Sequence, residues 1–82
     1  MVRVAGEMLG DDIACLTCEH VLDGSPIYLA ARDADGVWQF LCNRTHVAND
    51  ARVIGLGEAV AIEPRLLLLA PLGFGESALL HP

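Results

Sequence analysis

The chain is 82 residues long, carries a formal net charge of −6 and contains arginine but no lysine. A chain of this length forms one domain with a small core. Its arginines are scattered singly, unlike the clustered basic residues of proteins that bind nucleic acid or anionic membranes. Hydrophobic residues make up 54% of the chain. Since one small domain cannot bury so much apolar surface, the composition predicts a homodimer.

The first twelve residues contain no apolar run of signal-peptide length. They are predicted to be a loosely ordered N-terminal segment of a single domain that covers residues 1–82. The longest apolar run, 66–70, is too short to cross a membrane. Together with the preference for arginine over lysine, these features predict a cytoplasmic, bacterial protein. Thiols stay reduced in that compartment, so clustered cysteines indicate metal or redox chemistry before structural disulfides.

A β-hairpin is predicted in the first half of the chain. Residues 26–32 alternate between apolar and other side chains, "DADG" at 33–36 is a turn sequence, and 37–42 form a second strand. Because Asp and Gly tolerate the backbone angles of a tight turn, the turn accounts for Asp33 and Asp35 without catalytic chemistry.

The second half predicts a third strand at 51–56, one or two short helices, and a last strand at 76–81. Pro64 is expected to start the second helix, since proline fits a first helical turn. The fold class is therefore α+β. It consists of a small antiparallel sheet built on the β-hairpin, with a short apolar helical segment packed on one face. A metal site is expected to cross-link and stabilise this fold.

The cysteines define the strongest chemical motif. Cys15 and Cys18 are spaced C-x2-C, and Cys42 and His46 are spaced C-x3-H. The predicted hairpin lies between the two pairs and can bring them together. Four such ligands complete a tetrahedron around Zn²⁺. The sequence therefore predicts a Cys3His zinc site made of Cys15, Cys18, Cys42 and His46.

Several alternatives remain open at this point. His20 is an alternate fourth ligand in place of His46, or a residue beside the site. The cysteines can also be small buried hydrophobic residues, or Cys15 and Cys18 a redox pair. A small zinc enzyme would keep three ligands and a water, with His20 or Glu19 as general base. His81, next to the C-terminus, is interpreted as a solvated residue.

Two longer stretches, "DADGVWQFLC" and "LGEAVAIEPRLLLLAPLGFGESALL", carry a resemblance to a known group. Across residues 13–80 the chain resembles an uncharacterised family of small bacterial proteins, similar in layout to the immunity-protein-like domains found beside polymorphic toxin genes. The matching positions are Gly36 with Trp38, Glu63 with Pro64, and Pro71 with Gly73. The resemblance implies an α+β fold without enzymatic activity, and a toxin-neutralising immunity protein as an alternative function.

The favoured function is a small zinc-binding domain with a structural site, acting as a binding or interaction module. Four protein ligands leave no coordination position for water, so such a site stabilises the fold. The apolar sequence "RLLLLAPLGFG" further predicts that Leu67, Leu68 or Trp38 lies at the contact between two subunits of a homodimer.

Overall fold

The computed structural model describes residues 1–80 and shows a small α+β fold. Short strands are combined with a few short helical segments, and the predicted α+β class is confirmed. The strands are β1 (Val2–Val4), β2 (Glu7–Leu9), β3 (Ala14–Cys18), β4 (Leu29–Arg32), β5 (Trp38–Leu41), β6 (Ala51–Gly55) and β7 (Ser77–Leu79). The α-helices are α1 (Glu19–Leu22) and α2 (Leu56–Ile62), and 3₁₀ helices lie at Ala48–Asp50 and Pro64–Leu68.

The main sheet has five strands in the order β6-β3-β5-β4-β7. The sheet is mixed, which corrects the expectation of an antiparallel one: β3 and β5 are parallel, and the other neighbours are antiparallel. The reason is the path of the chain after β3. It turns through α1 and returns for β4, so that β5 of the hairpin enters the sheet between β3 and β4.

The predicted hairpin is confirmed as β4 and β5, with Leu29 opposite Leu41 and Arg32 opposite Trp38. Its turn is fixed by the Asp33 carboxylate, which accepts backbone hydrogen bonds from Asp35 (2.8 Å) and Val37 (3.0 Å). Gly36 has a φ of +88°, and an added Cβ would lie 2.9 Å from the Phe74 ring. Glycine is therefore required there both by the backbone conformation and by the close ring.

The two faces of the main sheet differ in burial. One face lies against α2, which contacts β3 and β6, and its side chains form the core. The opposite face includes Leu16, Gln39 and Leu41, which are partly exposed, and Val53, which is 67% exposed. We call this second surface the open sheet face. The buried side chains of the core face are Cys15, Thr17, Ala30, Trp38, Phe40 and Ile54.

The first residues, expected to be loosely ordered, contain the antiparallel hairpin β1–β2, with Val2 opposite Leu9. Val4 is fully buried and belongs to the core. Glu7 forms an ion pair with Arg32, whose guanidinium lies 4.7 Å from the centre of the Trp38 ring. These contacts attach the N-terminal hairpin to the β4–β5 hairpin.

The apolar segment after α2 divides between core and surface. Leu66 is fully buried, whereas Leu67 is 48% and Leu68 is 83% exposed. Trp38 is buried inside the chain, so of the three residues predicted at a subunit contact only the two leucines are on the surface. No helix within residues 1–80 is long and apolar enough to cross a membrane.

Candidate metal centre

Two cysteines meet at one edge of the main sheet because β3 and β5 are parallel neighbours. Parallel strands end at the same edge, and Cys18 is the last residue of β3 while Cys42 directly follows β5. Their Sγ atoms lie 3.6 Å apart. One residue earlier, the Thr17 hydroxyl donates a 2.6 Å hydrogen bond to the Phe40 carbonyl and fixes the two strand ends together. The topology of the sheet thus creates the cysteine pair.

Two histidines complete a four-residue group around this pair. His20 lies in the short helix α1 that starts immediately after Cys18, and its Nδ1 is 3.5 Å from the Cys42 sulfur. His46 lies in the loop after β5, and its Nε2 is 3.3 Å from the same sulfur. One ligand atom from each of the four residues lies within 4.8 Å of the other three. We call Cys18, His20, Cys42 and His46 the Cys2His2 cluster.

The three separations measured from the Cys42 sulfur are close to those around a single tetrahedral ion. With Zn–S near ~2.3 Å and Zn–N near ~2.0–2.1 Å, tetrahedral angles place two sulfurs about 3.8 Å apart and a sulfur and a nitrogen about 3.6 Å apart. The measured separations are 3.6 Å between Cys18 and Cys42, 3.5 Å from Cys42 to His20, and 3.3 Å from Cys42 to His46. The Cys2His2 cluster could therefore bind a metal ion.

Cys15, one of the four predicted ligands, is not in this cluster. The predicted site needs both cysteines of the C-x2-C segment at one ion, but this segment lies in strand β3. Side chains of a strand alternate between its two faces, so residues three apart point in opposite directions. Cys15 faces the core, where its thiol donates to the Ile13 carbonyl at 3.5 Å. Burial raises the pKa of this thiol to about 11, so the thiol stays protonated at neutral pH and is unreactive as a nucleophile.

The structure thus joins three predicted ligands, Cys18, Cys42 and His46, with the alternate ligand His20. The sequence offered one local signal for His20. It follows Cys18 by two residues, and the two side chains converge once the strand ends at Cys18 and α1 begins. That signal depends on where β3 stops, a boundary that the sequence pattern alone does not give.

The two cluster thiols have different acidities. Burial alone would raise the pKa of Cys18, but the backbone N–H groups of Cys42 and Val21 and the His46 side chain hold it below its ordinary value. Burial raises the pKa of Cys42, and the neighbouring Cys18 raises it further, against the lowering effect of the Arg44 N–H. As the pH rises, Cys18 therefore loses its proton before Cys42 does. A divalent cation between the sulfurs would displace the thiol protons.

A backbone hydrogen bond and the burial of the two cysteines also favour metal binding at the Cys2His2 cluster. Arg44 donates its backbone N–H to the Cys42 sulfur at 3.4 Å, a contact of the kind that orients and stabilises thiolate ligands. Cys18 and Cys42 are 1% and 6% exposed, while His46 is partly exposed and closes the cluster toward the solvent. A cavity of ≈ 210 Å³, which Cys18 and His46 help to line, opens beside it on the open sheet face.

The other residues weighed for the site lie elsewhere or have another partner. Glu19, the alternative general base, has its carboxylate 2.6 Å from the Arg52 guanidinium in an exposed ion pair. Asp33 serves the hairpin turn. His81 lies outside the described residues.

Comparison with known proteins adds no assignment: no family model, curated protein or solved structure matches this chain. The resemblance to immunity-protein-like domains therefore stays a prediction. The geometry of the Cys2His2 cluster is the feature of the molecule that bears most directly on function.

Proposed function

We propose that the protein is a small zinc-binding domain in which Cys18, His20, Cys42 and His46 hold one structural Zn²⁺. The observation that supports this is the convergence of four ligand atoms within 4.8 Å of one another, two of them on buried cysteines. The proposal keeps the Cys42 and His46 pair predicted from the sequence and exchanges Cys15 for His20.

Zinc is the metal that this ligand set favours. Tetrahedral sites of two sulfurs and two nitrogens are typical of zinc, and oxygen-preferring ions such as Mg²⁺ and Ca²⁺ find none of their ligands in the Cys2His2 cluster. Two thiolates also balance the charge of a divalent ion, so the bound site is neutral in a buried position. That neutrality reduces the cost of burying the sulfurs, which are 1% and 6% exposed.

A structural role is favoured because the four ligands come from three separate elements. Cys18 ends β3, His20 lies in α1, and Cys42 and His46 follow β5. One ion would cross-link these elements at the edge of the sheet. In a domain with so small a core, binding free energy of this kind becomes folding free energy. An enzyme would need one of these positions left to water, and all four ligand atoms here converge on one point.

This proposal is tested by metal analysis and by competition with a chelator for the bound zinc. Protein purified without metal-affinity steps is expected to contain one zinc per chain, and metal-free protein should take up one equivalent in competition with a chromophoric chelator. Cobalt substitution should give the visible absorption of tetrahedral thiolate coordination. A chain that neither carries zinc nor binds it on titration would refute the proposal.

As an interaction module, the domain is proposed to form a homodimer. Two exposed apolar surfaces favour a second subunit: the leucine pair Leu67 and Leu68, and the open sheet face, where Val53 is 67% and Leu79 is 50% exposed. Burying one such side chain contributes roughly 1.5–3 kcal/mol. Light scattering at micromolar concentration should give twice the 8.7 kDa chain mass.

Two variants locate the contact between subunits. Leu68→Glu should produce a monomer if the leucine pair forms the interface, and Val53→Glu should do so if the open sheet face forms it. Each is the matched control for the other. A wild-type monomer at the same concentration would show that the domain leaves these side chains in water.

A further inference from the structure

The chain has three cysteines, and the structure sorts them into a pair and a single residue. Cys18 and Cys42 have their sulfurs 3.6 Å apart, in van der Waals contact. Cys15 is 1% exposed in the core and lies outside the Cys2His2 cluster. A disulfide needs two sulfurs at about 2.05 Å with a suitable torsion angle. Cys18 and Cys42 therefore need to approach by only about 1.5 Å.

We propose that Cys18 and Cys42 form an oxidation-sensitive pair, which a small peroxide converts to a disulfide with release of the bound metal. The release of metal rests on the proposed function, whereas the disulfide itself requires only the two thiols. The modification would remove both sulfur ligands in one event and leave only His20 and His46, too few ligands for a tight tetrahedral site.

The chemistry balances with hydrogen peroxide as the oxidant. One thiolate attacks a peroxide oxygen, the O–O bond breaks, and a sulfenic acid forms while the departing oxygen leaves as water after protonation. The second thiol then attacks the sulfenic sulfur, the S–O bond breaks, and a second water leaves. In the metal-free pair, two thiols lose two electrons and two protons, and one peroxide becomes two waters. In the zinc-bound pair both sulfurs are thiolates, so the two protons come from solvent and Zn²⁺ leaves as the sulfurs join.

The cavity next to the pair is the place from which a peroxide would approach the two sulfurs. The cavity of ≈ 210 Å³ is lined by Cys18 together with the partly exposed His46, and its volume far exceeds that of a water-sized molecule, about 30 Å³. A small peroxide therefore has room beside Cys18 on the open sheet face, and a local movement completes its approach to the sulfur because Cys18 is only 1% exposed. Cys15 does not line this cavity and has no sulfur neighbour in the Cys2His2 cluster.

The position of the pair at strand ends favours closure of the bond. Cys18 ends its strand and Cys42 follows the end of β5, so neither sulfur is attached to the middle of a paired strand. The Thr17–Phe40 hydrogen bond holds the two strand ends together one step earlier. The small approach of the sulfurs therefore requires adjustment at strand ends and in the loop at 43–47, and it leaves the sheet pairing in place.

The test treats zinc-loaded protein with hydrogen peroxide. Zinc release is followed with a chromophoric chelator, and the remaining thiols are alkylated under denaturing conditions for peptide mass spectrometry. We expect one equivalent of zinc released per Cys18–Cys42 disulfide formed, with Cys15 recovered as an alkylated thiol. A dithiol reductant should restore both thiols and zinc binding.

Two variants and the metal-free chain complete the experiment. Cys15→Ala should behave like the wild type, and Cys42→Ala should form no intramolecular disulfide. A disulfide that includes Cys15, or oxidation of Cys18 and Cys42 without a bond between them, would overturn the proposal.

The metal-free chain separates the two proposals. If it forms the Cys18–Cys42 disulfide but never binds zinc, the oxidation-sensitive pair stands and the structural zinc site fails. If zinc binds in stoichiometric amount and peroxide leaves the two sulfurs unlinked both with and without the metal, the zinc site stands and the pair fails.

Discussion

Cys15 and Cys18 lie three residues apart in the same strand and have opposite environments. Cys15 faces the core, and burial raises the pKa of its thiol to about 11. Cys18 ends the strand beside Cys42, where the effect of burial is outweighed by backbone N–H groups that lower its pKa. The C-x2-C spacing that joins two cysteines in a turn separates them in a strand, since side chains alternate between faces. The chemistry of a cysteine therefore depends on the element that holds it.

Cys18 can join the Cys2His2 cluster because it lies at the end of its strand. Thr17, one residue earlier, is still buried on the core face and tied to Phe40. Beyond Cys18 the chain turns into α1 and brings His20 back toward the sulfur of Cys42 at 3.5 Å. A cysteine in the middle of β3 has neither a helical turn after it nor the end of β5 beside it. This contrast gives four predictions, from the largest expected effect to the smallest.

Replacing a cysteine of the Cys2His2 cluster should have the largest effect. Cys18→Ser and Cys42→Ser each remove one thiolate, and we expect zinc affinity to fall by more than about 100-fold, beyond the range found for residues that only orient ligands. Competition with a chelator measures the change, and circular dichroism reports whether the metal-free chain remains folded. Cys15→Ser is the matched control and should keep one zinc per chain. Loss of zinc from the control alone would reverse the assignment of Cys15 and Cys18.

The histidines should have the next largest effect. Since both nitrogens converge on the same point, His20→Ala and His46→Ala should each weaken zinc binding, with a change in the cobalt absorption spectrum as a water replaces a nitrogen. The double variant should bind more weakly than either single variant. If His20→Ala leaves both affinity and spectrum unchanged, the site has three protein ligands and His20 is only a neighbour.

Alkaline pH should destabilise the fold through Cys15. Its pKa is about 11 in the folded chain against an ordinary value of 9.0, so the unfolded chain loses this proton first as the pH rises. The stabilisation is fully present below pH 9 and is lost as the pH rises through 11, by about 2 kcal/mol at pH 11. Urea unfolding of metal-free wild type and Cys15→Ala at both pH values measures it. Identical pH slopes for the two proteins would contradict a buried, protonated Cys15.

The smallest effect is expected from Cys15→Ala at neutral pH. The substitution removes one buried sulfur of roughly methylene size from the core face, and it should lower the free energy of unfolding by about 1 kcal/mol. Zinc stoichiometry and affinity should not change. Chemical denaturation of the zinc-loaded protein, with zinc titration as the parallel readout, checks both statements. A reduced zinc content would place Cys15 at the metal.

Local sequence determined the parts of this fold whose contacts are close along the chain. The turn at 33–36 and the alternating residues on either side of it define β4 and β5, because a tight turn needs only its own side chains and a glycine. The third strand, the helix start at Pro64 and the last strand also arise from local pattern. Cys42 and His46 lie close together for the same reason, since two residues four apart in one loop stay near each other whatever the rest of the chain does.

Tertiary structure decided which residues join that pair. Cys18 reaches Cys42 because β5 enters the sheet parallel to β3, a pairing across more than twenty residues that no local pattern specifies. The register of the same pairing sets Thr17 beside the buried Phe40, so alternation places Cys15 on the core face with Thr17. The fourth position of the cluster is then occupied by His20. Local spacing therefore predicted that cysteines and histidines would meet in a cluster that could bind a metal. Strand alternation and parallel strand ends, which exist only in the assembled sheet, decided which ones.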